Sequence, residues 1–190
     1  MMSGQDFKRA GCAALLAGWL SASAWAQTPV VSTVVSATPA VVGAPLAVDV
    51  RISGVTDLFA YQFSLAFNPA VLQLTSIVEG AFLPTAGATL FDGGAVNNIL
   101  GTVTLANGAL TGFVPGANGN GVLARMNFSV TRAGTSSLTF SDVILLDSAL
   151  ATMTAQVNNN VLTAVPEPAS YALFALGLAG LVAWRQRKAV

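Results

Sequence analysis

The chain has 190 residues, 54% of them apolar and only 8% charged, roughly a third of the charge usual in a soluble domain. Eight basic residues balance eight acidic ones, but Lys8, Arg9, Arg185, Arg187 and Lys188 all stand near the two ends. Between Gln27 and Val165 three arginines face six carboxylates, which leaves that stretch at about −3 and excludes the basic footprint of a nucleic-acid partner.

At the N-terminus, Lys8-Arg9 precede the apolar run Ala10 to Leu20, and small residues lead on to Ala24-Trp25-Ala26. A charged region, an apolar core and an A-x-A site predict a signal peptide over residues 1–26, cut after Ala26 with Ala24 and Ala26 as the small-residue pair. The alternative is a short N-terminal membrane anchor. Cys12, the sole cysteine, stands near the start of the apolar run, not after it as a lipoprotein cysteine would, and is expected to leave with the peptide.

Residues 27–165 are broken by turn markers into short segments with strand periodicity. Leu46, Val48, Val50 and Ile52 alternate with Ala47, Asp49 and Arg51, a period of two that buries one face. Next, Phe59, Tyr61, Phe63, Leu65 and Phe67 share one face, while Leu58, Ala60, Gln62, Ser64 and Ala66 share the other. The first set supplies the centre of a core, since each aromatic buries roughly 150–250 Å². Asn68-Pro69 ends the strand.

Further strands are predicted at Leu72 to Val78, Ile99 to Ala106, Val122 to Thr131, Ser137 to Ser141 and Val161 to Val165. Weaker ones fall at Val30 to Ser36 and Met153 to Val157. In the Ile99 run, alternation places Val103 and Leu105 inside and Thr102 and Thr104 outside. In the Val122 run, Ala124, Met126, Phe128 and Val130 share a face with Val122, and Leu123 and Arg125 share the other. Asn107-Gly108 and Gly116 to Gly121 read as turns. So many short strands in one domain predict an all-β, antiparallel sandwich, large enough to hold together without disulfides.

Catalysis has few parts available. The chain has no His, and residues 27–165 contain neither Cys nor Lys, so Ser/His, Cys/His and Ser/Lys pairs, a Schiff base and a His/Cys zinc site are all excluded. Glu79, Asp92, Asp142 and Asp147 are the acids from which a glycosidase-like pair could be drawn, but Asp92-Gly93-Gly94 reads as a turn and Asp142 and Asp147 flank a strand. No EF-hand spacing marks a calcium loop. No cofactor, metal or enzymatic activity is expected.

Four segments in order carry a family resemblance: Gly43 to Val48, Ala60 to Leu72, Gly121 to Arg125 and Gly134 to Val143. Together they resemble the cohesin domain over about Val31 to Val165. That implies a jelly-roll sandwich related to carbohydrate-binding modules, with a sheet face that holds a dockerin-like protein module. Alternation places Ala60, Gln62, Ser64, Thr102 and Thr104 on that face, a flat and weakly polar platform. Ala60 and Gln62 stand where cellulosomal cohesins often carry Asn and Asp. The alternative reading is a carbohydrate-binding module for extracellular polysaccharide. Against it, residues 27–165 hold no Trp and Tyr61 is assigned inward.

Residues 166–190 form a tail. Pro166-Glu167-Pro168 resists helix because each proline lacks an N–H and disfavours helix in its predecessor. The apolar run Ala169 to Trp184 follows, then Arg185-Gln186-Arg187-Lys188. Sixteen residues span roughly 24 Å as a helix against a hydrocarbon core of about 30 Å, so spanning relies on Tyr171, Trp184 and the basic end, which stays cytoplasmic. A single C-terminal transmembrane helix is expected. The ordered set resembles the PEP-CTERM sorting signal of Gram-negative bacteria. The resemblance implies that an exosortase-type membrane protease acts at the tail, with Pro166, Glu167, Pro168, Arg185, Arg187 and Lys188 as the sorting residues. The expected product is an exported surface or matrix adhesion module, first anchored in the inner membrane and facing the periplasm.

Overall fold

The computed structural model describes residues 27–167 and 173–179. Thirteen strands follow one another: β1 (Val30–Val35), β2 (Ala40–Val41), β3 (Pro45–Leu58), β4 (Ala60–Ala66), β5 (Leu72–Glu79), β6 (Thr89–Asp92), β7 (Ala95–Asn97), β8 (Thr102–Leu110), β9 (Ala117–Val130), β10 (Gly134–Leu146), β11 (Thr152–Met153), β12 (Gln156–Asn158) and β13 (Asn160–Val165). They build two sheets in the orders β12-β1-β3-β9-β5 and β2-β13-β10-β4-β8-β6, with β11 on β10 and β7 on β8. The chain is an all-β sandwich.

The period-two patterns explain the packing. Leu46, Val48, Val50 and Ile52 of β3 are buried, as are Ala124, Met126, Phe128 and Val130 of β9. From the facing sheet come Tyr61, Phe63 and Leu65 of β4, with Phe67 just beyond. Phe63 meets Phe140 edge-on at 5.9 Å and Phe67 meets Phe128 at 5.1 Å, the geometry that aromatic quadrupoles favour.

Several expectations are corrected. Ile99 and Leu100 lie in the turn before β8, Ile99 being 88% exposed, so the strand starts at Thr102 and runs on to Leu110. Asn107-Gly108 is therefore inside a strand. Gly108 is there for closeness, since a Cβ on it would stand 2.7 Å from Tyr61 Cε1. Gly116 to Gly121 is likewise mostly strand, because Ala117 opens β9. Gly121 lies against Phe82, 2.5 Å from Cδ2 if it bore a Cβ. Leu123, expected outward, is buried because the register with β3 shifts between Val50 and Arg51 and turns it inward. Leu58, expected on the outer face, belongs to the end of β3 and is buried. The Met153 to Val157 run divides between β11 and β12, which lie in different sheets.

One sheet edge is capped at a single residue by a side chain. β5 pairs only with β9. On its open side, Leu74 N–H donates to Asn98 Oδ1 (2.8 Å) while Asn98 Nδ2 donates to Leu74 O (3.0 Å).

Of the expected transmembrane run, residues 173–179 are described and are helical, with Leu173, Phe174, Leu176 and Leu178 all exposed. Among the described residues no helix is long and apolar enough to cross a membrane. The signal peptide with Ala24 and Ala26, and the tail residues Pro168, Arg185, Arg187 and Lys188, lie outside the described residues.

Candidate functional site

The outer face of β10, β4, β8 and β6 presents two rows of side chains. Strand register aligns Leu90, Ala109, Ala60 and Leu146 in one row, and Asp92, Asn107, Gln62 and Ile144 in the next. Ala60, Gln62, Asn107, Ala109, Ile144 and Leu146 line a shallow hollow of about 430 Å³. Gln62 thus stands between the amide of Asn107 and the apolar side chain of Ile144.

Ser64 departs from the platform. It is only 4% exposed, and its neighbours bulge on both sides. Toward β8, Phe63 aligns with Ala106 and Leu65 with Val103, so Thr104 and Leu105 both fall opposite Ser64. Leu105 adopts φ 57° and its N–H donates to Ser64 Oγ at 3.1 Å. Toward β10, the register slips between Ser141 and Ile144, and Asp142 adopts φ 51°. Positive φ in a residue with a Cβ costs of order 1–3 kcal/mol. The effect of the first bulge is to turn Leu105, expected in the core, out to 52% exposure.

The remaining platform residues stand beyond that bulge. Thr102 pairs with Ala66 and with Asn97 of β7, and Thr104 Oγ1 donates to Ala95 O at 3.3 Å. The face therefore has two parts, the hollow around Ala60 and Gln62 and a hydroxyl-bearing end around Thr102 and Thr104. Asn107, Ala109, Ile144 and Leu146 are the members that sequence reasoning missed. The apparent Asn107-Gly108 turn hides two of them, and the strand expected over Ser137 to Ser141 stops short of the others, which lie in the longer β10.

Electrostatics divide the sandwich. Asp92 and Asp142 are the only charged residues in the strands of this sheet. Arg51 and Arg125 belong to β3 and β9 of the other sheet, where Arg125 grips Asp49 through two hydrogen bonds of 2.6 and 2.9 Å. The Arg125 hydrogen bond holds the Asp49 carboxyl below the usual carboxylate range.

Where β3 ends beside this sheet, two loops meet on Asp57. Its carboxylate accepts Gly116 N–H at 2.7 Å and Ser148 Oγ–H at 2.7 Å, and the Ser148 bond is the main cause of its lowered pKa. Beside it Phe113 is fully exposed and, with Phe59, Val114, Pro115 and Leu150, lines a hollow of about 400 Å³. Tyr61 lies beneath the face, its hydroxyl donating to Leu123 O at 2.6 Å, and burial pushes its phenol well up.

The candidate acids have structural duties. Glu79 Oε2 accepts the Thr89 hydroxyl at 2.9 Å, Asp92 Oδ1 accepts Gly94 N–H, and Asp147 Oδ1 accepts Ala149 and Ala151 N–H. Among the described residues no group of three His, Cys, Asp or Glu could hold a metal ion.

Residues 31–163 match the family model of the cohesin domain, and residues 164–188 match that of the PEP-CTERM protein-sorting motif. Among solved structures, the second type II cohesin module of the adaptor ScaA scaffoldin of Acetivibrio cellulolyticus superposes with a TM-score of 0.63 at 16% identity, covering 76% of this chain and 94% of its own. A non-cellulosomal cohesin from the archaeon Archaeoglobus fulgidus gives 0.58 at 17% identity, over 77% and 97%. The cohesin of a type I cohesin–dockerin complex from Clostridium thermocellum gives 0.58 at 15%, over 73% and 100%. At such identities the likeness shows the fold. No curated protein matches the chain in sequence. With the domain match covering well over half its length, the chain belongs to the cohesin family, whose domains are non-catalytic binding modules, and it carries a PEP-CTERM sorting motif directly after the domain.

Proposed function

We propose that this chain is an exported adhesion or scaffold module whose β10-β4-β8 face holds a dockerin-like protein module. The observation that carries the reading is the face itself. It is broad, hollowed and nearly free of charge, with Ile144 exposed in the hollow and Leu90 and Leu105 exposed outside it, the apolar surface expected of a protein contact. Solved neighbours include a cohesin–dockerin complex. In this reading residues 1–26 are removed on export, residues 27–165 are the binding domain and residues 166–190 are the tail on which an exosortase-type protease acts. The apolar side chains of residues 173–179, exposed all round the helix, suit a bilayer in place of a protein neighbour. The domain then faces the periplasm before release to the surface or matrix.

The test is calorimetry of purified residues 27–165 against a panel of dockerin modules. Gln62→Arg, which puts a charge in the hollow, is expected to weaken binding about tenfold or more, because a charge buried without a partner is costly. Arg51→Ala on the opposite sheet is expected to bind like the parent. Equal binding by parent and Gln62→Arg refutes the face, and binding to extracellular polysaccharide alone transfers the domain to the carbohydrate-binding reading.

A further inference from the structure

No spacer separates the domain from its sorting motif. β13 runs to Val165, and Pro166 and Glu167 follow at once. On one side β13 pairs with β10. On the other, only its last two residues are covered, by the two-residue β2, with Ala164 beside Ala40 and Val165 beside Val41. Val165 O accepts Val42 N–H at 2.9 Å. Glu167 is drawn onto the same turn, for a Cβ on Gly43 would stand 2.9 Å from Glu167 Oε1. Just upstream of the motif, Ala164 is thus paired on both edges and Val165 on the β2 side.

Enzymes that take an extended peptide commonly bind it by strand addition, through main-chain hydrogen bonds to a free edge. Pro166 offers no N–H, so that pairing must draw on the residues beside it, and β2 holds the nearest ones upstream. Resting on the sorting reading above, we propose that the membrane protease docks on the β13 edge that β2 covers, so that β2 competes with the protease for Ala164 and Val165. β2 suits a reversible cover. It is two residues long and buries only Ala40, which places it among the elements that open locally without global unfolding.

The experiment follows the full chain in its producing cells by pulse-chase and immunoblot, measuring the rate at which the tail is lost. A six-residue Gly-Ser spacer inserted between Val165 and Pro166 leaves the sandwich untouched and gives the protease an unpaired strand. Tail loss is expected to become about fivefold faster, the factor that one backbone hydrogen bond represents. Joining β2 to β13 through paired cysteines, Ala40→Cys with Ala164→Cys, is expected to slow it by at least as much. A spacer variant processed at the parent rate, or more slowly, overturns the competition by β2. A separate variant with Pro166, Glu167 and Pro168 all changed to Ala tests the underlying reading. If that variant is processed like the parent, the sorting assignment itself fails, whatever the spacer does.

Discussion

Gly108 distinguishes two explanations of one dipeptide. If Asn107-Gly108 formed a tight hairpin turn, the glycine would be needed for positive φ, and any side chain there would cost energy whatever its neighbours. In the structure Gly108 pairs with Tyr61 inside the sheet and does not have positive φ. A methyl at Gly108 would stand 2.7 to 2.8 Å from Tyr61 Cε1, Cζ and Oη. Gly108→Ala must therefore push the ring aside, an overpacking cost of about 1–3 kcal/mol. It also strains the Tyr61 hydrogen bond to the buried Leu123 carbonyl, adding about 1 kcal/mol. The expected loss is about 2–4 kcal/mol. Tyr61→Leu, which removes the ring, makes room for the methyl. Urea denaturation of residues 27–165 with both single variants and the double variant gives the coupling energy, expected at about 1–3 kcal/mol and favourable to the double. A coupling near zero, with Gly108→Ala equally costly in both backgrounds, would refute the packing argument and restore the turn.

Other outcomes are expected in the same assay. Phe63→Ala, at the centre of the core, should lose about 3–5 kcal/mol, whereas Gln62→Ala, one residue away on the outer face, should stay within about 0.5 kcal/mol; equal losses would mean the register is wrong. Ser64→Ala leaves the Leu105 N–H without its acceptor at the bulge and should cost about 1–3 kcal/mol, while Thr104→Ala, exposed beside it, should cost under about 0.5 kcal/mol. The Asp49 and Asp57 carboxyls are held below their unfolded values, so their contribution is full above the unfolded pKa and is lost as pH falls through the folded one. Stability should therefore decline on acidification below about pH 4, and Asp57→Asn should flatten part of that slope; an unchanged slope would remove Asp57 from the account.

Much of the sandwich is legible where the two faces of a strand differ in chemistry. The alternations in β3, β4 and β9 need only a period of two, and Tyr61, Phe63 and Leu65 lie where that period puts them. Legibility fails where an extra residue enters a strand. At Leu105 and Leu123 a bulge resets the phase, and local sequence gives no sign of it because bulges are fixed by the partner strand. Glycine misleads for a related reason, since Gly108 and Gly121 make room for the rings of Tyr61 and Phe82 and do not serve the conformation of their own backbone. The candidate face was half visible, Ala60 and Gln62 by alternation. Asn107 and Ala109 were hidden behind the apparent turn.

The amide of Asn98 on the β5 edge bears on how many copies of this protein can stand side by side. An open sheet border offers its free N–H and C=O groups as a template on which identical chains stack. At Leu74 both groups are already engaged by one side chain, which presents them with a donor and an acceptor just as a neighbouring strand would but cannot be extended by a further strand. Crowding on a surface would bring such borders together continually, and this one offers no nucleus there for a fibre. Association through this border is thereby interrupted at Leu74.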